Sequence, residues 1–228
     1  MKEIQEVLKT AIPKNYQKDG KKSSVAETPE ERFYKAWEED KAERKRIEAE
    51  RIKNASNMAK RFRRRTFDTF DQSRNKDAYD KAVWYSDHYD DTEKNSLILA
   101  GSVGTGKTHL VASITNKLLE NGVPVLFDTF SGHLYKLKAE FGTSQSYLHR
   151  MQKIDMLVID DVGKEKQTDW TRSIMFDVIN YRYENLLPIV MTTNYDSREL
   201  AEYFGSAIWS RLCEMCTGVK MEGSDYRK

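Results

Sequence analysis

An α/β fold built on a parallel sheet is predicted by three features of this sequence. Short apolar runs alternate with helix-patterned segments after residue 95. A glycine-rich turn directly follows the first of those runs. The stretch before it has another composition: of 11 glycines only Gly20 precedes residue 100, and neither Gly nor Pro occurs between Pro29 and Gly101. The expectation is a core with a five-stranded parallel sheet spanning 57–228, preceded by a helical N-terminal region with a linker, 1–56.

The elements follow in order. Ile4, Val7, Leu8 and Ile12 recur at helical spacing and form one narrow apolar stripe, which Pro13 stops. Lys14–Glu27 is polar and carries little to bury, so it is a linker or disordered segment. Thr28-Pro29-Glu30-Glu31 is a helix start, with Thr as N-cap, Pro at the first helical position and Glu three residues after the cap. That helix is expected to run to about Arg61, with Phe33, Tyr34 and Trp37 as an apolar knot near its start.

Beyond residue 95, Ser96–Ala100, Val123–Phe127, Met156–Ile159 and Pro188–Met191 are the buried strands, and Val219–Met221 is the candidate fifth. Lys107–Glu120, His133–Phe141, Asp169–Asn185, Ser197–Phe204 and Ala207–Met215 are the intervening helices.

With 228 residues the chain suits one ordinary domain plus an appendage. No apolar run approaches the about 18 residues of a membrane span, so no membrane partner is expected. Met1-Lys2-Glu3 opens without an apolar stretch, so no secretory signal is expected. Cys213 and Cys216 are the only cysteines, which excludes a disulfide framework and suits a cytoplasmic location.

Lys+Arg number 38 against 36 Asp+Glu, a formal charge of +2, which excludes a generally basic nucleic-acid coat. The charge is uneven, however. Lys41–Arg65 holds 11 basic and 3 acidic residues. This helix has two readings, a solvated charged face or a surface for phosphate or an acidic partner. Arg61, Arg63, Arg64 and Arg65 favour phosphate contact.

Gly101-Ser102-Val103-Gly104-Thr105-Gly106-Lys107-Thr108 matches G-x-x-x-x-G-K-[ST] in full, after a strand and at the start of a helix. The glycines let the backbone curl so that successive N–H groups face phosphate, and the helix N-terminus adds partial positive charge. Lys107 would reach the β- and γ-phosphates of ATP, and the Thr108 hydroxyl would ligate Mg²⁺.

Met156-Leu-Val-Ile-Asp160-Asp161 brings two carboxylates to the C-terminal end of a strand, where open parallel sheets bind ligands. Asp160 is placed to hold Mg²⁺ through water and Asp161 to polarise the attacking water, with a turn role at the strand end as the alternative for both. Thr192-Thr193-Asn194 follows the fourth strand, where Asn194 can orient water near the γ-phosphate or act as a turn former.

In this combination the chain resembles the AAA+ ATPases of the DnaC/IstB type, which include bacterial and phage replicative helicase loaders. The stretches that carry the resemblance are Gly101–Leu110, Leu157–Gly163, Ile179–Tyr183, Thr192–Asn194, Trp209–Leu212 and Ser224–Arg227. Thr66–Asp71 looks like the segment leading into this core. The resemblance implies a P-loop AAA+ ATPase core that self-associates. It implies that Arg211 is an arginine finger acting on a neighbouring subunit's ATP, and that Arg227 is a sensor near the γ-phosphate in cis.

The resemblance also implies a DNA-lining segment between the second and third strands, roughly 129–153. There Lys136, Lys138, His149 and Arg150 are the candidate contacts for single-stranded DNA, with the alternative of a solvated helix face. A hexameric replicative helicase is the implied partner. The second reading is a transposition helper of the IstB type acting on duplex DNA, and the third an interaction module switched by nucleotide. No Cys precedes residue 213, so the zinc cluster of DnaI-type relatives is not expected.

The helicase-docking surface falls to the Ile4/Val7/Leu8/Ile12 stripe or the Phe33/Tyr34/Trp37 knot, each with intramolecular packing as its alternative. The Cys213/Cys216 spacing is incidental. His109, beside Thr108, belongs to the nucleotide-binding stretch by position and to helix packing by residue type. His88, His133 and His149 form no visible ligand set.

Overall fold

The structure is a computed structural model that describes residues 29–91, 95–139, 146–223 and 225. The stripe at Ile4–Ile12 and the linker at 14–27 lie outside the described residues. Packing divides the chain after Glu43.

In the first unit the described residues form the start of helix α1 (Pro29–Ala55). Here Phe33, Tyr34 and Trp37 are exposed, at 68, 41 and 49%. The Phe33 and Tyr34 rings meet edge to face at 6.3 Å, and Lys41 lies over Trp37 at 4.9 Å.

The second unit begins at Arg44 and contains the rest of α1. The helix stops at Ala55, six residues short of the expected Arg61. Ser56 Oγ donates to Lys53 O at 2.7 Å, and Asn57 turns left-handed at φ 61°. Arg63 Nε donates to Met58 O at 3.1 Å, so this member of the arginine cluster fastens the turn after the helix. The Phe127 N–H donates to Ser56 O at 2.9 Å, which attaches the segment to the sheet.

Three 3₁₀ turns follow, Phe62–Arg64, Phe67–Thr69 and Gln72–Arg74, and then α2 (Lys76–His88). The sequence reading missed α2. Its helix-forming signals are quiet: Lys76–Asp80 and Asp77–Lys81 pairs at 2.7 Å, and a buried face of Ala78, Ala82 and Tyr85.

The remaining elements are β1 (Ser96–Gly101), α3 (Lys107–Glu120), β2 (Val125–Thr129), α4 (Phe130–Ala139), α5 (Ser146–Lys153), β3 (Met156–Val162), α6 (Asp169–Glu184), β4 (Ile189–Thr193), α7 (Ser197–Phe204), α8 (Ser206–Met215) and β5 (Cys216–Met221). Helix α5 was also not foreseen.

The strands form one parallel sheet in the order β2-β3-β4-β1-β5. Successive strand side chains point to opposite faces, and both faces are covered, so the runs are apolar throughout. Leu97, Leu99, Val158 and Val190 pack with α2 and α3 on one face. Ile98, Leu157, Ile159 and Met191 pack with α4 to α8 on the other.

Two buried polar groups tie the second face together. Arg182 of α6 is 0% exposed and donates to four carbonyls, those of Met151 (2.9 Å), Gln152 (3.0 Å), Asp155 (3.2 Å) and Pro188 (2.7 Å). It thereby caps the end of α5 and holds it to the segments entering β3 and β4. Burial lowers its guanidinium to about 9. His133 of α4 donates from Nε2 to Val158 O at 2.9 Å and accepts the Tyr147 hydroxyl at Nδ1, also at 2.9 Å. Burial lowers this imidazole to about 4, which keeps it neutral.

Candidate nucleotide site

The phosphate loop crosses from β1 to α3 at the C-terminal edge of the sheet. Gly106 is the N-cap of α3 at φ 95°, a left-handed conformation that glycine takes without strain. No side chain caps this helix start, which leaves its first N–H groups available to a ligand. Lys107 is 6% exposed, and its Nζ donates to Gly101 O and Ser102 O at 2.7 Å each. The lysine is thus held inside the loop by the loop's own carbonyls.

Asp160, at the end of β3, is 1% exposed. Its Oδ1 accepts the Thr108 hydroxyl at 3.0 Å and the Thr192 hydroxyl at 2.5 Å. Burial pushes this carboxyl above its ordinary range and the Asp161 charge adds to the shift, while the two hydroxyl bonds oppose it. A buried carboxylate beside a threonine hydroxyl at the mouth of a phosphate loop is a hard-oxygen donor set, and it fits Mg²⁺. Among the described residues no cluster of three or more acidic, His or Cys side chains would hold a metal alone, so the ion's other ligands would come from phosphate and water.

Asp161 sits where the β3–β4 register shifts, between Ile159 and Val162, and it is left-handed at φ 60°. Strain of this kind in a non-glycine residue concentrates at functional sites. Its N–H donates to Thr192 Oγ1 at 2.8 Å. Thr192 therefore contacts both adjacent aspartates. Sequence reasoning passed over it in favour of Asn194, because only the pairing of β3 with β4 brings it there. Asn194 follows β4 and is exposed. The next residue, Tyr195, donates from its hydroxyl to Gly163 O at 2.7 Å.

His109 holds the preceding segment against α3. Its Nε2 lies 3.1 Å from Thr66 O and 3.0 Å from Thr69 Oγ1, and its ring meets the Phe70 ring edge-on at 5.2 Å. Burial lowers its pKa. The Asn75 amide reaches Thr105 O at 3.4 Å, so residues 66–75 line the flank of the loop.

The far end of the described chain borders the same loop. Ser102 Oγ donates to Gly223 O at 3.3 Å, and a Cβ at Gly104 (φ 82°) would overlap the Asp225 carboxylate. Arg227 lies outside the described residues.

Arg211, on α8, makes no described contact with this loop. Its Nη1 donates to Ala207 O at 2.8 Å, and its guanidinium lies 5.4 Å from the Phe176 ring centre and 5.6 Å from that of Tyr183.

The four candidate DNA contacts lie on α4 and α5. Lys136 pairs with Asp128 at 2.5 Å and lies over the Tyr147 ring at 5.8 Å. Lys138 lies over Trp170 at 5.1 Å, Arg150 donates to Ala55 O, and His149 is exposed. Cys213 is exposed on α8 and Cys216 is buried in β5.

Comparison with known proteins agrees with this geometry. The phage-like element PBSX protein XkdC of Bacillus subtilis is 34% identical over 200 residues, covering 81% of this chain and 74% of XkdC. The replicative helicase loader DnaC of Escherichia coli is 32% identical over 139 residues, covering 59% of this chain and 56% of DnaC. A crystal structure of the DnaC helicase loader superposes with a TM-score of 0.66 at 27% identity, over 72% of this chain and all of that one. The family described as IstB-like ATP binding protein matches residues 6–228. A parallel five-stranded sheet, a complete phosphate loop and a match over nearly the whole chain lead to one conclusion: this protein belongs to the IstB-like ATP binding family, with a P-loop AAA+ core related to the DnaC helicase loader.

Proposed function

We propose that this protein is an ATPase that loads a hexameric replicative helicase onto single-stranded DNA. The observation that carries the reading is the Thr108–Asp160–Thr192 constellation at the mouth of the phosphate loop, in a chain related to DnaC.

The mechanism follows from the residues. The N–H groups of Gly101–Gly106 and the start of α3 bind the phosphates of ATP, with Lys107 turning from its loop carbonyls to the β- and γ-phosphates. His109 keeps the flanking segment in place beside the nucleotide. Thr108 and Asp160 would hold Mg²⁺, which would neutralise phosphate charge when bound. Asp161 accepts a hydrogen bond from the attacking water, and Asn194 orients that water. Arg227 senses the γ-phosphate in cis, and Arg211 of a neighbouring copy stabilises the transferred phosphoryl in trans.

Lys136, Lys138, His149 and Arg150 form a surface for single-stranded DNA beside the exposed ring of Tyr135. The region 1–56, including the exposed Phe33/Tyr34/Trp37 patch, docks the helicase, and the ATPase domain follows it. Such a role belongs in the cytoplasm.

Lys107→Ala is expected to weaken ATP binding by roughly 10- to 100-fold or more, the loss of a charge-assisted contact to phosphate. A nucleotide titration that finds unchanged affinity would remove the loop assignment.

The loading role is tested by capture of a candidate replicative helicase with and without ATP. The intact chain should retain the helicase, and a chain lacking residues 1–43 should lose it while still binding nucleotide. That truncation spares residues 44–56, which pack with the ATPase core. Capture of a transposase instead, with preference for duplex over single-stranded DNA, would favour the IstB-type alternative.

A further inference from the structure

The Asp161 carboxylate has one partner among the described residues. Lys164 Nζ donates to its Oδ2 at 2.8 Å. Both side chains are partly exposed, at 55% for Lys164 and 31% for Asp161, so the pair is open to solvent.

The lysine's place in the chain is fixed on both sides. Gly163 O accepts the Tyr195 hydroxyl at 2.7 Å, and Glu165 accepts the Ser131 hydroxyl at the start of α4. Asp161 is fixed as well, by its left-handed backbone and its N–H bond to Thr192. Contacts at the two neighbours of Lys164, and at Asp161 three residues before it, therefore place the ammonium beside the carboxylate.

We infer that Lys164 is a positioning residue that restrains Asp161, holding its carboxylate until the ion pair opens and frees it for the attacking water. This rests on the reading of Asp161 as the group that accepts from that water. In the restrained state the ammonium holds the carboxylate in the orientation that faces Lys164, so turnover draws on the fraction of molecules in which the pair is open and the carboxylate is turned to the water. An exposed ion pair contributes little, and it is screened by salt. The restraint is accordingly modest and easily reversed, as a device that sets a low basal rate requires.

The test is steady-state ATP hydrolysis by the full chain. Lys164→Ala should raise basal kcat about two- to fivefold, the factor that a weak exposed pair is able to impose, with KM for ATP unchanged. Lys164→Arg, which keeps the charge and the reach, should stay near the parent rate. Raising ionic strength should increase the parent's kcat towards that of Lys164→Ala and leave the variant unmoved. Lys164→Gln provides a second variant if the alanine chain folds poorly.

A kcat at or below the parent value in variants of unchanged Tm would overturn the restraint. Asp161→Asn separates the two readings. If it abolishes hydrolysis while Lys164→Ala and Lys164→Gln leave kcat unmoved, the restraint alone fails. If Asp161→Asn hydrolyses ATP normally, the role of Asp161 itself fails.

Discussion

Replacing Arg211 by alanine is expected to lower assembly-stimulated ATP hydrolysis by about 10³-fold or more, the range an arginine finger supplies, with ATP affinity retained. The expectation rests on how the side chain is presented. Its guanidinium lies near the rings of Phe176 and Tyr183. Nη1 is tied to Ala207 O, and Nε is buried without a hydrogen-bond partner among the described residues. Among those residues no carboxylate lies within ion-pairing distance of it. A cation oriented by aromatic faces and left unneutralised by its own subunit is suited to a partner's phosphate.

A mixing experiment makes this decisive. Arg211→Ala subunits keep an intact phosphate loop, and Lys107→Ala subunits keep an intact Arg211. Neither alone should hydrolyse ATP. Mixed, they should recover a fraction of the parent rate at interfaces that combine one good loop with one good arginine. Parent-level turnover by Arg211→Ala alone would dismiss the role.

The second large effect is on stability. Arg182→Ala should cost about 3–5 kcal/mol, because it removes a buried cation whose four carbonyl partners are then left without it. For a domain of this size that corresponds to a fall in Tm of roughly 10–15 °C, readable by thermal denaturation. Arg182→Lys should recover little, since a single ammonium cannot reach carbonyls spread around a planar fork. A Tm within a degree or two of the parent would show that the carbonyls find other partners.

These two arginines mark the limit of what the sequence discloses. The phosphate loop, the aspartates after β3 and four of the five strands were legible because each is a local pattern: a glycine spacing, an apolar run, a carboxylate at its end. The fifth strand proved longer than expected because Cys216–Gly218 has no strong apolar pattern, and its pairing with β1 carries it.

Arg182 sits in a polar stretch, Asn180-Tyr181-Arg182-Tyr183, whose spelling gives no sign that one side chain is wholly buried. Its role depends on α5, which was itself missed. Thr192 and Lys164 were illegible for a related reason. Their partners are set by strand register and by a left-handed residue at a bulge, neither of which has a one-dimensional signature. Part of the arginine-rich run was misleading, since Arg63 bonds to the turn after α1.

The bond from Phe127 to Ser56 bears on how strand β2 avoids stray pairing during folding. Strand β2 is at the margin of the sheet, with β3 as its only strand neighbour among the described residues. Its Val125-Leu-Phe run, with a row of outward backbone groups, is a template on which another chain could pair. Residues 52–62 blunt that template: Ser56 O takes one outward N–H, and the Phe62 ring packs tilted against Phe127, centroids 5.4 Å apart. The foot of the long charged helix therefore serves as a guard against edge-to-edge aggregation, and trimming the chain past Ala55 would expose the apolar margin it covers.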